Sequence, residues 1–168
     1  MGMTDTITRW LINVKDERTR SAILTPLSAI GDRLSSCMTQ SAGLLIKSGG
    51  STLAKTGSAA AAGIVRGVPI SIAASTDMPA LTGLSITAGS FNVACFFIDS
   101  ASTVTVAFGT EATTLAGVKF PPFPVGKALV GYLIITYASA FTGGSTALDT
   151  ATTIYCSPTG ACDPSVLP

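Results

Sequence analysis

Two segments of this chain are apolar on both sides of a strand. In residues 91–98, Phe91, Val93, Cys95 and Phe97 fall on one face while Asn92, Ala94, Phe96 and Ile98 fall on the other, because successive strand side chains point in opposite directions. In residues 128–137, Ala128, Val130, Tyr132 and Ile134 alternate with Leu129, Leu133 and Ile135. A strand with two dry faces needs cover on both sides. The cover must come from a second layer, from an N-terminal arm or from a neighbouring subunit. Residues 103–108 differ: Val104, Val106 and Phe108 alternate with Thr103, Thr105 and Ala107, as in a half-exposed strand. Asp99, Ser100, Ala101 and Ser102 form the turn before it.

From Gly43 onward the chain is rich in Gly, Ser, Thr, Ala and Val. Short apolar segments separated by turn residues indicate a sandwich or barrel. Strands are expected over 44–47, 64–66, 68–73, 84–87, 91–98, 103–108, 128–137 and 152–156. The glycine-rich stretches 48–51 and 142–145 read as turns, and the low-complexity run 58–63 as a loop.

The N-terminal region is different. Ten of the nineteen charged side chains lie in the first 47 residues. Ile7, Trp10, Leu11 and Val14 recur at the i, i+3, i+4, i+7 spacing of one helical face. Thr25 then supplies a capping hydroxyl ahead of Pro26, so a second helix is expected after a kink or break at Pro26. Its stripe is Leu27, Ile30 and Leu34, continued by Cys37 or Met38, and Gly31 weakens it. These stripes cover two to three heptad-like steps, enough for an arm or short bundle but not a long stalk. They pack either onto the chain's own β domain or onto another subunit. The expected organisation is an arm over 1–42, a β sandwich over 43–157 and a tail over 158–168.

Charged residues make up 11% of the chain, against about 25% in an ordinary soluble domain. A surface of Thr, Ser, Ala and Gly with a net charge of +1 is poorly protected against association and is suited to permanent contact with neighbours. The near balance of charge offers no basic stripe for nucleic acid. The apolar stretches fall short of the ~20 residues a helical membrane span requires. The N-terminus is interrupted by Asp5, Arg9, Asn13 and Lys15, so it does not read as a secretory signal.

Chemistry is sparsely provided for. The chain contains no histidine, which rules out Ser-His-Asp and Cys-His devices within it. Cys37, Cys95, Cys156 and Cys162 form no C-x-x-C pair, so no metal site is expected. They read as thiols, with a small Cys156–Cys162 loop as the oxidised alternative. Asp77, Asp99, Glu111 and Asp149 are the candidates for a carboxylate pair, but three of them sit in turn-like contexts. Arg66, the sole cation between Lys55 and Lys119, reads as a surface arginine or as half of an intersubunit ion pair. The expectation is a protein that is not an enzyme and takes no cofactor. Its interface residues would be Ile7, Trp10, Leu11, Val14, Ile30 and Leu34 on the arm.

The order of features in residues 84–149 resembles β modules of tailed-bacteriophage structural proteins, including head decoration (cement) proteins and fibre proteins. Those features are Phe96-Phe97-Ile98-Asp99, the 103–109 strand, Pro121 to Gly126 leading into Lys127-Ala128-Leu129-Val130-Gly131, and Phe141-Thr142-Gly143-Gly144-Ser145 followed by Thr146-Ala147-Leu148-Asp149. The resemblance implies a β sandwich or jelly-roll-like domain in the virion, assembled in the host cytoplasm. It further implies a homotrimer that binds the major capsid protein or another virion protein. The alternative within the resemblance is a fibre module whose loops at 99–102 or 138–145 contact host glycan, with Tyr137 and Phe141 as its nearby aromatics.

Overall fold

The structure, a computed structural model, describes residues 17–161. Ile7, Trp10, Leu11, Val14 and Cys162 lie outside that range. Among the described residues the fold is mainly β and sandwich-like, preceded by one helix.

That helix, α1 (Glu17–Leu34), runs for 18 residues straight through Pro26. Of the expected kink or break, the break does not occur. Proline removes one N–H and crowds the preceding turn, but Ala22 and Pro26 are exposed, so water can take the carbonyl left without a donor. Hydroxyls reinforce the same turns: Thr25 Oγ1 donates to the Ser21 carbonyl at 3.0 Å and Ser28 Oγ to the Thr25 carbonyl at 2.9 Å. The apolar stripe does not continue to Met38 in the helix. Beyond Leu34 the chain turns, and Cys37 and Met38 form a short strand with Met38 fully buried in the β core.

Eleven strands follow: β1 (Cys37–Met38), β2 (Leu45–Ile46), β3 (Ala54–Lys55), β4 (Ala61–Val65), β5 (Val68–Ile72), β6 (Ser85–Ile86), β7 (Phe91–Asp99), β8 (Val104–Phe108), β9 (Lys127–Thr136), β10 (Phe141–Thr142) and β11 (Thr152–Cys156). A three-stranded sheet of order β1-β4-β5 faces a four-stranded sheet of order β11-β9-β7-β8, and all these pairs are antiparallel. Between the two sheets Met38, Val65, Ile70 and Ile72 meet Phe96, Ile98, Val130, Leu133 and Ile135. Two-stranded ribbons, β2-β3 and β6-β10, flank the sandwich.

The low-complexity run is not wholly a loop, because Ala61, Ala62 and Gly63 belong to β4. Their small size is what the position demands. A Cβ on Gly63 would fall 2.7 Å from the Cys37 carbonyl and 2.9 Å from Met38 Sδ, so β1 can pair this closely with β4 only where that strand lacks a side chain. β4 and β5 close through a two-residue turn, Arg66 (φ +50°) and Gly67 (φ +80°). Positive φ at both central residues is the type I′ geometry that matches strand twist.

β7 is dry on both faces, as its sequence predicts. One face joins the core between the sheets; the other gathers Val93, Cys95 and Phe97 with Leu129. β9 departs from simple alternation. The pairing shifts between Phe96 and Phe97, so that Phe96 faces Gly131 while Phe97 faces Leu129, and Val130 is the extra residue. A bulge reverses the inward and outward phase. Ala128 and Val130 therefore share the core with Leu133 and Ile135, and Leu129 shares the opposite face with Tyr132 and Ile134.

The cover on that opposite face comes from the chain itself. Between β8 and β9 the backbone doubles back through a Thr110–Lys119 bridge and lays Val118, Phe120 and Phe123 over the sheet. Phe123 meets Phe97 edge-on with centroids 5.3 Å apart, and Phe120 meets Tyr132 at 5.1 Å, the T-shaped geometry that ring quadrupoles favour.

Candidate functional site

α1 leaves the sandwich from a three-way polar anchor. The Asp32 carboxylate accepts from Arg66 Nε at 2.7 Å through Oδ1 and from the Gly126 N–H at 2.7 Å through Oδ2. This joins the last turn of the helix to the β4–β5 turn and to the segment leading into β9. Arg66 is held from its other side as well, its N–H donating to the buried Ser36 Oγ at 3.1 Å. Next to Asp32, the Arg33 guanidinium sits 5.6 Å over the Phe123 ring, within cation–π range.

Burial pushes the Asp32 carboxyl up, but the Gly126 amide and the Arg66 guanidinium, with Arg33 nearby, offset this and hold it below its usual 3.8. The anion is the form the anchor binds. A groove of about 720 Å³ runs along the joint, lined on the helix side by Thr25, Ser28, Ala29 and, at its end, Leu34, and on the sandwich side by Arg66, Gly67 and Val125.

The helix turns a polar and small-residue face to this joint. Thr25, Ala29 and Asp32 lie roughly half a turn away from Ile23, Leu27, Ile30 and Leu34 at about 100° per residue. The apolar side contributes to neither core cluster, and only its C-terminal half is exposed. Ile30 is 50% and Leu34 58% exposed, Ile23 and Leu27 are half-buried, and none of the four belongs to either core cluster. Ordinarily an amphipathic helix does the reverse and spends its apolar face on the core.

Of the six interface residues expected from the sequence, Ile30 and Leu34 thus sit together on one exposed stripe. Ile7, Trp10, Leu11 and Val14 lie outside the described residues. The anchor itself was not legible as a unit: Arg66 stood out as a lone cation followed by glycine between two strand patterns, but nothing marked Asp32 as its partner. The ion pair is within the chain.

The four carboxylates considered for acid–base work are each committed elsewhere. Asp77 pairs with Lys47, Asp99 Oδ1 accepts from the Ala101 and Thr103 N–H groups, Glu111 Oε1 accepts from Thr87, and Asp149 Oδ2 from Gly50. No group of three or more His, Cys, Asp or Glu able to hold a metal occurs among the described residues. The aromatics expected near a glycan-binding loop are placed otherwise too. Phe141 is 1% exposed in β10 and Tyr137 packs against the core, so neither offers an open platform.

No protein-family model, curated protein or solved structure matches the chain.

Proposed function

We propose that this chain is a structural subunit of a tailed-phage virion, a capsid decoration or cement protein. It stabilises the shell by packing against the major capsid protein and further copies of itself, and it reaches the virion by assembly in the host cytoplasm. The observation that carries the reading is the exposed C-terminal half of the apolar stripe on α1. A helix anchored through a charged residue on one side, with Ile30 and Leu34 exposed on the other, keeps its apolar area available for a neighbour. The sparse charge of the chain supports the same role, because such a surface tolerates close, permanent contact. So does the resemblance of residues 84–149 to virion β modules.

On this reading the work is done by burial at many symmetry-related contacts. The central sheet is not the contact surface, since the chain's own 109–126 segment covers its second face. The arm is.

The test is a virion assembled without this protein. It is expected to lose resistance to heat and internal pressure while adsorbing to host cells as before. Adsorption lost with an unaltered shell would replace the cement role with a fibre role, and virions unchanged in both respects would remove the protein from either.

A further inference from the structure

The chain after β11 runs back along β1. Ser41 Oγ donates to the Ser157 carbonyl at 3.0 Å, and the Gly160 N–H donates to the Met38 carbonyl at 2.7 Å. The two contacts are three residues apart on both segments, so residues 157–160 lie antiparallel to 38–41 in a single register, with Met38 and Gly160 bridged. The next step of that register sets Cys37 opposite Ala161, at the Cα separation of about 5 Å that opposed residues keep. Covalent geometry holds the Cα of Cys162 about 3.8 Å from that of Ala161, which brings the separation of about 4.4–6.8 Å that a disulfide requires within reach of Cys37. Strict alternation of faces does not forbid the pairing, because Gly160 takes φ +84° and the chain bends at Ala161. Cys37 is partly exposed, on the opposite face of β1 from the buried Met38.

We infer that Cys37 and Cys162 join in a disulfide when the chain meets a small-molecule disulfide such as oxidised glutathione, whether or not the chain serves in a virion. The bond is a redox-set clasp between the root of α1 and the segment after β11. It forms by thiol–disulfide exchange. One cysteine thiolate attacks a sulfur of the glutathione disulfide and releases one glutathione thiol; the second thiolate then displaces the other glutathione. Two protein thiols are oxidised, the reagent is reduced to two thiols, and the two protons pass to them. By spacing alone Cys156 is the nearer partner for Cys162, but the register opposes that pairing. Cys156 is held in β11 against Tyr132, and residues 156–161, drawn out along 37–42, cover about 16 Å at 3.3 Å per residue, so joining Cys156 to Cys162 requires release of the Gly160 bridge. Cys95 is fully buried. A Cys37–Cys162 bond encloses nearly the whole β domain in one covalent loop, and a long loop restricts the unfolded chain more than a short one.

The test is a peptide map of the full chain, first reduced, then exposed in native buffer to oxidised glutathione, alkylated, and cut with trypsin without reduction. Cleavage after Arg33, Lys47 and Lys127 places Cys37 in residues 34–47 and both Cys156 and Cys162 in residues 128–168. The expected product is the 34–47 peptide joined to the 128–168 peptide, retained in Cys156→Ser and lost in Cys162→Ser. The oxidised wild-type chain is also expected to unfold at a higher urea concentration than the reduced one, a difference that Cys162→Ser abolishes. A disulfide internal to 128–168, a link that survives Cys162→Ser, or cysteines that carry glutathione without a link would each overturn the inference. So would equal urea midpoints for the oxidised and reduced wild-type chain. The wild-type map alone distinguishes the two pairings, so no variant has to fold for the inference to fail.

Discussion

Packing among Val93, Phe97 and Leu129 leaves Cys95 fully buried, and burial pushes its thiol up to about 12. Thiolate is the reactive form, so a thiol this far above neutral pH is inert while the fold is intact. Cys37 and Cys156 are partly exposed. Brief treatment of the native chain with iodoacetamide should therefore modify the peptides bearing Cys37 and Cys156 and spare the one bearing Cys95 until denaturant is added. Comparable labelling of Cys95 in native buffer would contradict the packing described. The burial of Cys95 was readable from its place in an apolar segment, since its neighbours two residues away on the same face are Val93 and Phe97. The anchor residues were not readable in that way. Asp32 and Arg66 are 34 residues apart, and no local pattern records which of several charges a folded chain will bring together.

At the scale of elements, the anchor sets how α1 leaves the sandwich, and it titrates. The Asp32 carboxyl is held below 3.8 in the folded chain, so its contribution is fully present above that value and is lost as pH falls through the lower folded one. Arg66 is more than half exposed, and solvent screening limits the contribution to about 1 kcal/mol. Asp32→Asn should lower the unfolding free energy read from the helical signal in urea at pH 7 by that amount, and the gap between variant and wild type should narrow and close as pH falls below 3.8. A gap that stays constant with pH would mean that charge is not what holds the joint. The two irregularities of the elements have opposite histories. Pro26 is plain in the sequence but does not break α1, because that stretch of helix is solvated and needs no partner for the freed carbonyl. The Val130 bulge has a single local marker, the neighbouring Gly131, but the reversal of phase exists only because β7 pairs with both halves of β9 at different registers.

Considered whole, the described residues form a sandwich whose central strands β7 and β9 are covered on both faces by the chain's own residues, with a helix, α1, that belongs to neither core cluster. Phe123 joins the two regions, stacking edge-on with Phe97 beneath it and receiving Arg33 of α1. Phe123→Ala should cost about 2 kcal/mol, roughly half the loss for a fully buried phenylalanine, and should raise binding of a hydrophobic dye as the second face opens. A loss of unfolding free energy below about 0.5 kcal/mol, the size of an ordinary surface substitution, would show that the 109–126 segment does not cover the sheet. The sequence by itself determined the mainly β class, most of the strands, the dryness of β7 on both faces and the apolar stripe on the arm, because these depend on periodicity along a single segment. Tertiary structure decided what covers each dry face, where the phase of β9 reverses and which side of α1 meets the sandwich, because each depends on contacts between residues far apart in the chain. Ile30 and Leu34 could be recognised as an apolar stripe from their spacing; that Ile30 stays out of the core follows from Asp32, whose partners come from two distant turns.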